Sequence, residues 1–173
     1  MTPEFSHIVK LSELGPDSKK RSVTANDGER KALAKRFGLL AIQELNATYA
    51  LAVDGHKIRV TGAINGKLEQ SCSISGEPMP VIVEEQFEVI FLPKTEISEN
   101  NEEIELAAED CDLIEYEGNK IDIGEAIAQT LYLSLDPFPR GPSADVVAEK
   151  QGLKSEEEAG PFGALAALKD KLG

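Results

Sequence analysis

Glu44-Leu45-Asn46-Ala47-Thr48-Tyr49-Ala50-Leu51-Ala52-Val53-Asp54-Gly55-His56-Lys57-Ile58-Arg59-Val60-Thr61-Gly62-Ala63-Ile64-Asn65-Gly66 decides the fold of this 173-residue chain. Leu45, Ala47, Tyr49, Leu51 and Val53 alternate with smaller or polar residues, the period of two that turns one face of a strand towards a core. Asp54-Gly55 supplies a turn of the primed type that joins antiparallel strands. Ile58, Val60, Gly62 and Ile64 alternate next, and Asn65-Gly66 is a second hairpin signal. Leu68, Gln70, Cys72 and Ile74 continue the pattern. After Ser75-Gly76-Glu77-Pro78-Met79-Pro80, residues 81–92 place Val83, Phe87, Val89 and Phe91 on one face. Three or four strands over residues 44–92 predict an antiparallel β-meander. A meander of this length curls towards a barrel or covers one face with helices, because an exposed flat edge invites aggregation.

Upstream, residues 26–40 form an amphipathic helix: Leu33, Phe37 and Leu40 recur at helical spacing, and Arg30, Lys31, Lys35 and Arg36 cover the remainder. The pairs Thr24/Asp27 and Asn26/Glu29 both have capping-box spacing, and Gly38 suggests the end. Downstream, residues 112–123 return as a short strand and turn. Asp122 then starts a second helix, with Ile123, Ile127, Leu131 and Leu135 four apart on one stripe and Glu125 three residues after the cap. Asp136-Pro137 and Pro139 stop it. The fold class expected is α+β, a meander covered by two main helices with a short C-terminal helical peptide.

Residues 1–142 form the expected domain, with an acidic loop at 94–117. Residues 143–160 are a linker with a transient helical turn near Val146, and residues 161–173 an amphipathic peptide. Phe162, Leu165 and Leu168 give that peptide an apolar stripe. Twelve or so residues cannot hold a helix alone in water, so it must dock, on its own domain or on a partner.

The 31 acidic side chains outweigh 18 basic ones, for a net charge of −13 and a pI near 4.6. Such a chain does not grip DNA or bulk RNA by broad phosphate neutralisation, which needs clustered Lys and Arg. The charge is uneven: residues 1–40 carry eight bases against five acids, and residues 94–125 carry two against twelve. Opposed patches of this kind steer and orient partners. No window approaches the run of about 18 apolar residues that a spanning helix needs, and residues 1–10 have no apolar core of signal-peptide length. The expectation is a cytoplasmic protein with no membrane partner.

Chemistry has little purchase. Walker, GxGxxG and GxSxG motifs are missing from the sequence, and His7 and His56 stand away from any residue that suggests a triad or a metal claw. Cys72, in phase with Leu68 and Ile74, is expected to pack as a small buried hydrophobe, with no basic sequence neighbour to lower its thiol pKa. Cys111, between Asp110 and Asp112, is expected to be inert. The acidic run lacks the fixed alternation of a Ca²⁺ loop, so no metal, no cofactor and no catalytic residue is expected. The rival from another class is a metal-dependent hydrolase built on Asp110, Asp112, Asp122 and Glu125. A third possibility is an acidic chaperone for basic proteins.

The order of features resembles the YceD family, described as large ribosomal RNA subunit accumulation proteins. The resemblance rests on the segment Val81-Ile82-Val83-Glu84-Glu85-Gln86-Phe87-Glu88-Val89-Ile90-Phe91, on Ile121-Asp122-Ile123-Gly124-Glu125, and on Leu131-Tyr132-Leu133-Ser134-Leu135-Asp136-Pro137-Phe138-Pro139. It covers residues 5–142, with Pro161-Phe162-Gly163-Ala164-Leu165 in the family style. Asp122, Gly124, Glu125 and Pro137 are its most specific marks. Many members carry a CxxC in the meander; Cys72 stands at the first position and Ser75 at the second, so that pair is incomplete. The resemblance implies a bacterial, non-enzymatic factor needed for normal levels of large-subunit ribosomal RNA, through ribosome assembly or protection of precursor RNA. The partners it implies are ribosomal RNA or a large-subunit assembly intermediate. Arg30, Lys31, Lys35 and Arg36 are the candidate RNA contacts, the acidic loop the candidate contact for a basic ribosomal protein, and Phe162, Leu165 and Leu168 candidate partner contacts.

Overall fold

A computed structural model describes residues 3–14, 20–94 and 112–153. In chain order these form β1 (Ile8–Lys10), a 3₁₀ turn (Leu11–Glu13), β2 (Arg21–Thr24), α1 (Asp27–Phe37), β3 (Ala41–Asp54), β4 (Lys57–Ser71), β5 (Pro78–Pro93), β6 (Asp112–Tyr116), β7 (Lys120–Asp122), α2 (Ile123–Leu133) and α3 (Ala144–Gln151). The class is mixed α+β. A five-stranded sheet has the order β2-β3-β4-β5-β6, and β1 and β7 make a separate antiparallel pair. The large sheet is open and does not close into a barrel. Two compact units divide the chain: Met1–Gln70 with Pro80–Asp136, and Ser71–Met79 with Pro137–Gly173.

The β3-β4 hairpin turns where the sequence predicts, with Asp54 opposite Lys57 across Gly55-His56. Gly55 takes φ 59°, the left-handed conformation that such a turn requires. The expected turn at Asn65-Gly66 does not form. Both residues lie within β4, Asn65 opposite Asn46 and Gly66 opposite Leu45. The first hairpin already fixes the register of β3 against β4, and breaking β4 at residue 65 would forfeit the ladder beyond it. Ile42 and Leu45 are an odd number of residues apart yet both buried. A register shift between Ile42 and Glu44 reconciles them, since one extra residue flips the facing of a strand.

β6 runs parallel to β5, Asp112 opposite Val89 through Tyr116 opposite Pro93, and so adds a parallel edge outside the meander expected over residues 44–92. A parallel pair needs a crossover of a dozen or more residues, and residues 94–111 supply that length.

The core of the first unit takes Leu45, Tyr49, Ile58, Ile64 and Leu68 from the sheet and Ile123, Ile127 and Leu131 from α2. Fully burying a side chain of that size stabilises by about 1.5–3 kcal/mol. α1 is shorter than residues 26–40. Asn26 caps it, accepting from the Glu29 N–H at 3.0 Å while Glu29 Oε2 accepts from the Asn26 N–H at 2.7 Å, and Gly38 at φ 66° ends it. The turn at Gly38 leaves Leu40 exposed and packs Leu39 in its place. In the second unit, α3 extends the helical turn expected near Val146 to eight residues.

Candidate functional site

Asp122-Ile123-Gly124-Glu125 begins α2 and also receives the N-terminal segment. Asp122 Oδ1 accepts from the Gly124 and Glu125 N–H groups at 3.0 and 3.3 Å, the ordinary work of a cap. The same carboxylate accepts from the His7 N–H at 2.8 Å and from Ser6 Oγ at 2.7 Å. The Ile123 N–H donates to the His7 carbonyl at 3.0 Å. Gly124 lets this happen: a Cβ there would lie 2.7 Å from both the His7 nitrogen and the Phe5 carbonyl oxygen.

Glu125 is held by Arg36 of α1, Nη1 donating to Oε2 at 2.9 Å and Nη2 to Oε1 at 2.7 Å. Arg36 Nη1 also donates to Glu4 Oε2 at 3.0 Å. The hydrogen bonds with Arg36 keep the Glu125 carboxyl below its usual range and hold the guanidinium firmly charged. Arg30 is likewise occupied, donating to the Ala25 carbonyl at 2.6 Å and pairing with Asp27. Lys31 and Lys35 are exposed and, among the described residues, make no ion pair within 4.0 Å. Of the four basic candidates, two are tied into the fold and two face outward.

Cys72 belongs to the second unit and is buried, 3% exposed, and free. Its Sγ accepts from the Gly141 N–H at 3.3 Å and the Ser75 N–H at 3.4 Å. These donors, led by Gly141, bring the thiol down to about 6. Burial is as expected. The depressed pKa is not, because its causes are the backbone amide of Gly141, 69 residues away, and the hydroxyl and amide of Ser75, and not a charged neighbour. Beside it Glu77 accepts from the Ser143 N–H at 3.2 Å and from Ser143 Oγ at 2.8 Å; no sequence motif marks Glu77, Gly141 and Ser143 as a group. Pro137 is exposed, and Gln70 Nε2 donates to the carbonyl of Asp136 before it at 3.0 Å.

Among the described residues no three of His, Cys, Asp and Glu converge as a metal site. Asp122 and Glu125, two of the carboxylates named for the hydrolase alternative, are engaged as cap and ion pair. Asp110, Cys111, Phe162, Leu165 and Leu168 lie outside the described residues. No helix among the described residues is long and apolar enough to cross a membrane.

A mixed sheet, a helix start that clasps the N-terminal segment and an outward basic pair on α1 define a small α+β domain without a recognisable catalytic centre among its described residues. The chain belongs to the YceD family, described as large ribosomal RNA subunit accumulation protein, whose model matches residues 60–169. That description attaches the family to large-subunit ribosomal RNA and to ribosome biogenesis. No curated protein and no solved structure matches the chain significantly.

Proposed function

We propose that this protein is a non-enzymatic cytoplasmic factor that sustains large-subunit ribosomal RNA by binding an assembly intermediate or precursor RNA, with Lys31 and Lys35 of α1 as its phosphate contacts. Family membership supports the RNA. The single observation that carries the contact is the division of the α1 cations: Arg30 and Arg36 are spent internally, whereas Lys31 and Lys35 are exposed one turn apart. A net charge of −13 confines any phosphate contact to such a local patch, because the remainder of the surface repels a polyanion.

The test is the ratio of large- to small-subunit ribosomal RNA in cells lacking the protein. The expected result is a selective fall in the large-subunit RNA, restored by the wild-type chain and not by Lys31→Glu/Lys35→Glu. Full rescue by the double variant removes the basic pair from the mechanism, and an unchanged ratio in the null strain removes the function.

A further inference from the structure

β6 and β7 are consecutive in the chain but belong to different sheets: β6 pairs with β5, and β7 pairs with β1. The chain between them turns through Glu117-Gly118-Asn119, where Gly118 takes φ 74°. The parting of the sheets leaves a groove of about 310 Å³ over Phe91, Ile114, Tyr116 and Ile121, with Ala126 of α2 along one wall and Ile8 of β1 at the mouth. A second depression of about 160 Å³ continues it past Leu113 to Leu133, sharing Ile114 and Ala126. The first volume is that of roughly ten waters, enough to admit a large side chain. Ile8, Leu113 and Leu133 are 46%, 41% and 72% exposed, so apolar surface extends from the floor to both ends.

The rim is acidic. Glu115, Glu117, Asp122 and Glu125 border the larger depression, with Lys120 the one base among its described lining residues, and Asp112 borders the smaller. Glu117 is paired with Lys94 and Glu125 with Arg36, and Asp122 is committed to amide donors. Asp112 and Glu115 are exposed and make no ion pair among the described residues. Lys94, paired with Glu117, also lies in the field of Glu115; the rim still carries more acids than bases, and an apolar floor beneath it repels phosphate and suits a cationic chain that carries an apolar anchor.

We infer that this groove docks a basic peptide segment of a partner protein, a large apolar side chain seated on Phe91, Ile114 and Ile121 and flanking Lys or Arg residues set against Asp112 and Glu115. The inference deepens the proposed function by giving it a protein partner, held by residues other than Lys31 and Lys35.

The experiment uses the full chain and a fluorescein-labelled peptide with a Leu-Ile-Leu centre flanked by Lys and Arg, titrated by fluorescence anisotropy. The control keeps every charge and replaces the centre with Ser. The anchored peptide is expected to bind at least about tenfold more tightly than the control, to weaken with salt as exposed ion pairs do, and to lose that advantage in Ile8→Ser/Leu113→Ser. Asp112→Lys/Glu115→Lys is expected to weaken it independently. Because all four substituted side chains are substantially exposed, the melting temperature checks that each variant folds, and either pair is decisive without the other. Equal binding of anchored and control peptides overturns the groove, since acidity alone then explains the affinity. Unchanged binding by both variants overturns it too. A single-stranded RNA that displaces the peptide, and whose own binding falls in the same variants, would make the ligand RNA. An unchanged ribosomal RNA ratio in cells sinks the proposed function without touching peptide binding, so the two failures are distinguishable.

Discussion

Arg36 and Glu125 stand 89 residues apart and meet through two hydrogen bonds of 2.9 and 2.7 Å, joining the last turn of α1 to the first turn of α2. Phe37 and Tyr132 continue the same seam with ring centroids 5.1 Å apart. The side chains of the ion pair are 32% and 25% exposed, between the surface case, worth little, and the buried case, costly to break. Arg36→Ala is expected to cost about 1 kcal/mol in urea unfolding, with most of that loss absent when Glu125 is already Ala.

The same pair gives a pH dependence. Arg36 holds the Glu125 carboxyl below its unfolded value, so the pair's contribution is complete above the ordinary Glu pKa of about 4.3. It is lost as pH falls through the lower folded value. Wild type and Glu125→Gln should therefore differ in melting temperature at neutral pH and converge in acid. A constant gap would show that Glu125 contributes by packing alone.

Gly124→Ala forces a Cβ to within 2.7 Å of backbone atoms that cannot rotate away. Overpacking of this kind costs about 1–3 kcal/mol, and the upper part of that range is expected. The damage should localise: hydrogen exchange ought to accelerate at the Ile8–Lys10 strand and spare the β3-β4 hairpin. Uniform acceleration would mean that the clasp is not a local feature.

Cys72 predicts pH dependence at the other end of the scale. Its folded value of about 6 lies below that of an ordinary thiol, about 8.5. The stabilisation is thus fully present above about 8.5, declines between there and 6, and is gone in more acid solution. Cys72→Ala should flatten this slope, as read from melting temperature against pH.

The Tyr49 hydroxyl is buried and meets no hydrogen-bond partner within 3.5 Å among the described residues; burial raises its pKa, opposed by the Arg21 guanidinium nearby. Removing an unsatisfied buried group is neutral or favourable. Tyr49→Phe is expected to hold or raise stability by about 1 kcal/mol, and a clear loss would reveal a partner for the oxygen.

What could be read from the sequence was what short-range pattern dictates. The Ile123, Ile127, Leu131 stripe has one period and one buried face, and Asp122 with Glu125 marks its start, so α2 was legible almost to the residue. The Asn26/Glu29 box was legible for the same reason. Asn65-Gly66 misled because a turn preference of two residues yields to the ladder of a strand already in register. The pairing of β6 with β5 was invisible, since a parallel partner is chosen by the core and not by neighbours. The site was legible only in its parts. Gly124 signalled a close backbone approach, but no local pattern says that Phe5 and His7 are what approach it. Nor does any pattern say that Arg36 is consumed by Glu125, which is why four α1 cations looked equivalent when, among the described residues, Lys31 and Lys35 are the two of them that make no ion pair.

The hydrogen bond from His7 to Asp122 spans 115 residues, and it bears on how the chain comes into being. When residues 5–9 are made, the carboxylate and the glycine that seat them have not yet been polymerised. At about 5–20 residues per second, the interval before those partners exist is roughly 6–23 s. Through that interval Phe5 and Val9, both buried in the finished fold, have no complete cavity to occupy. The hairpin of β3 and β4 needs only adjacent sequence and can form meanwhile, whereas residues 5–9 are seated only after α2 has begun.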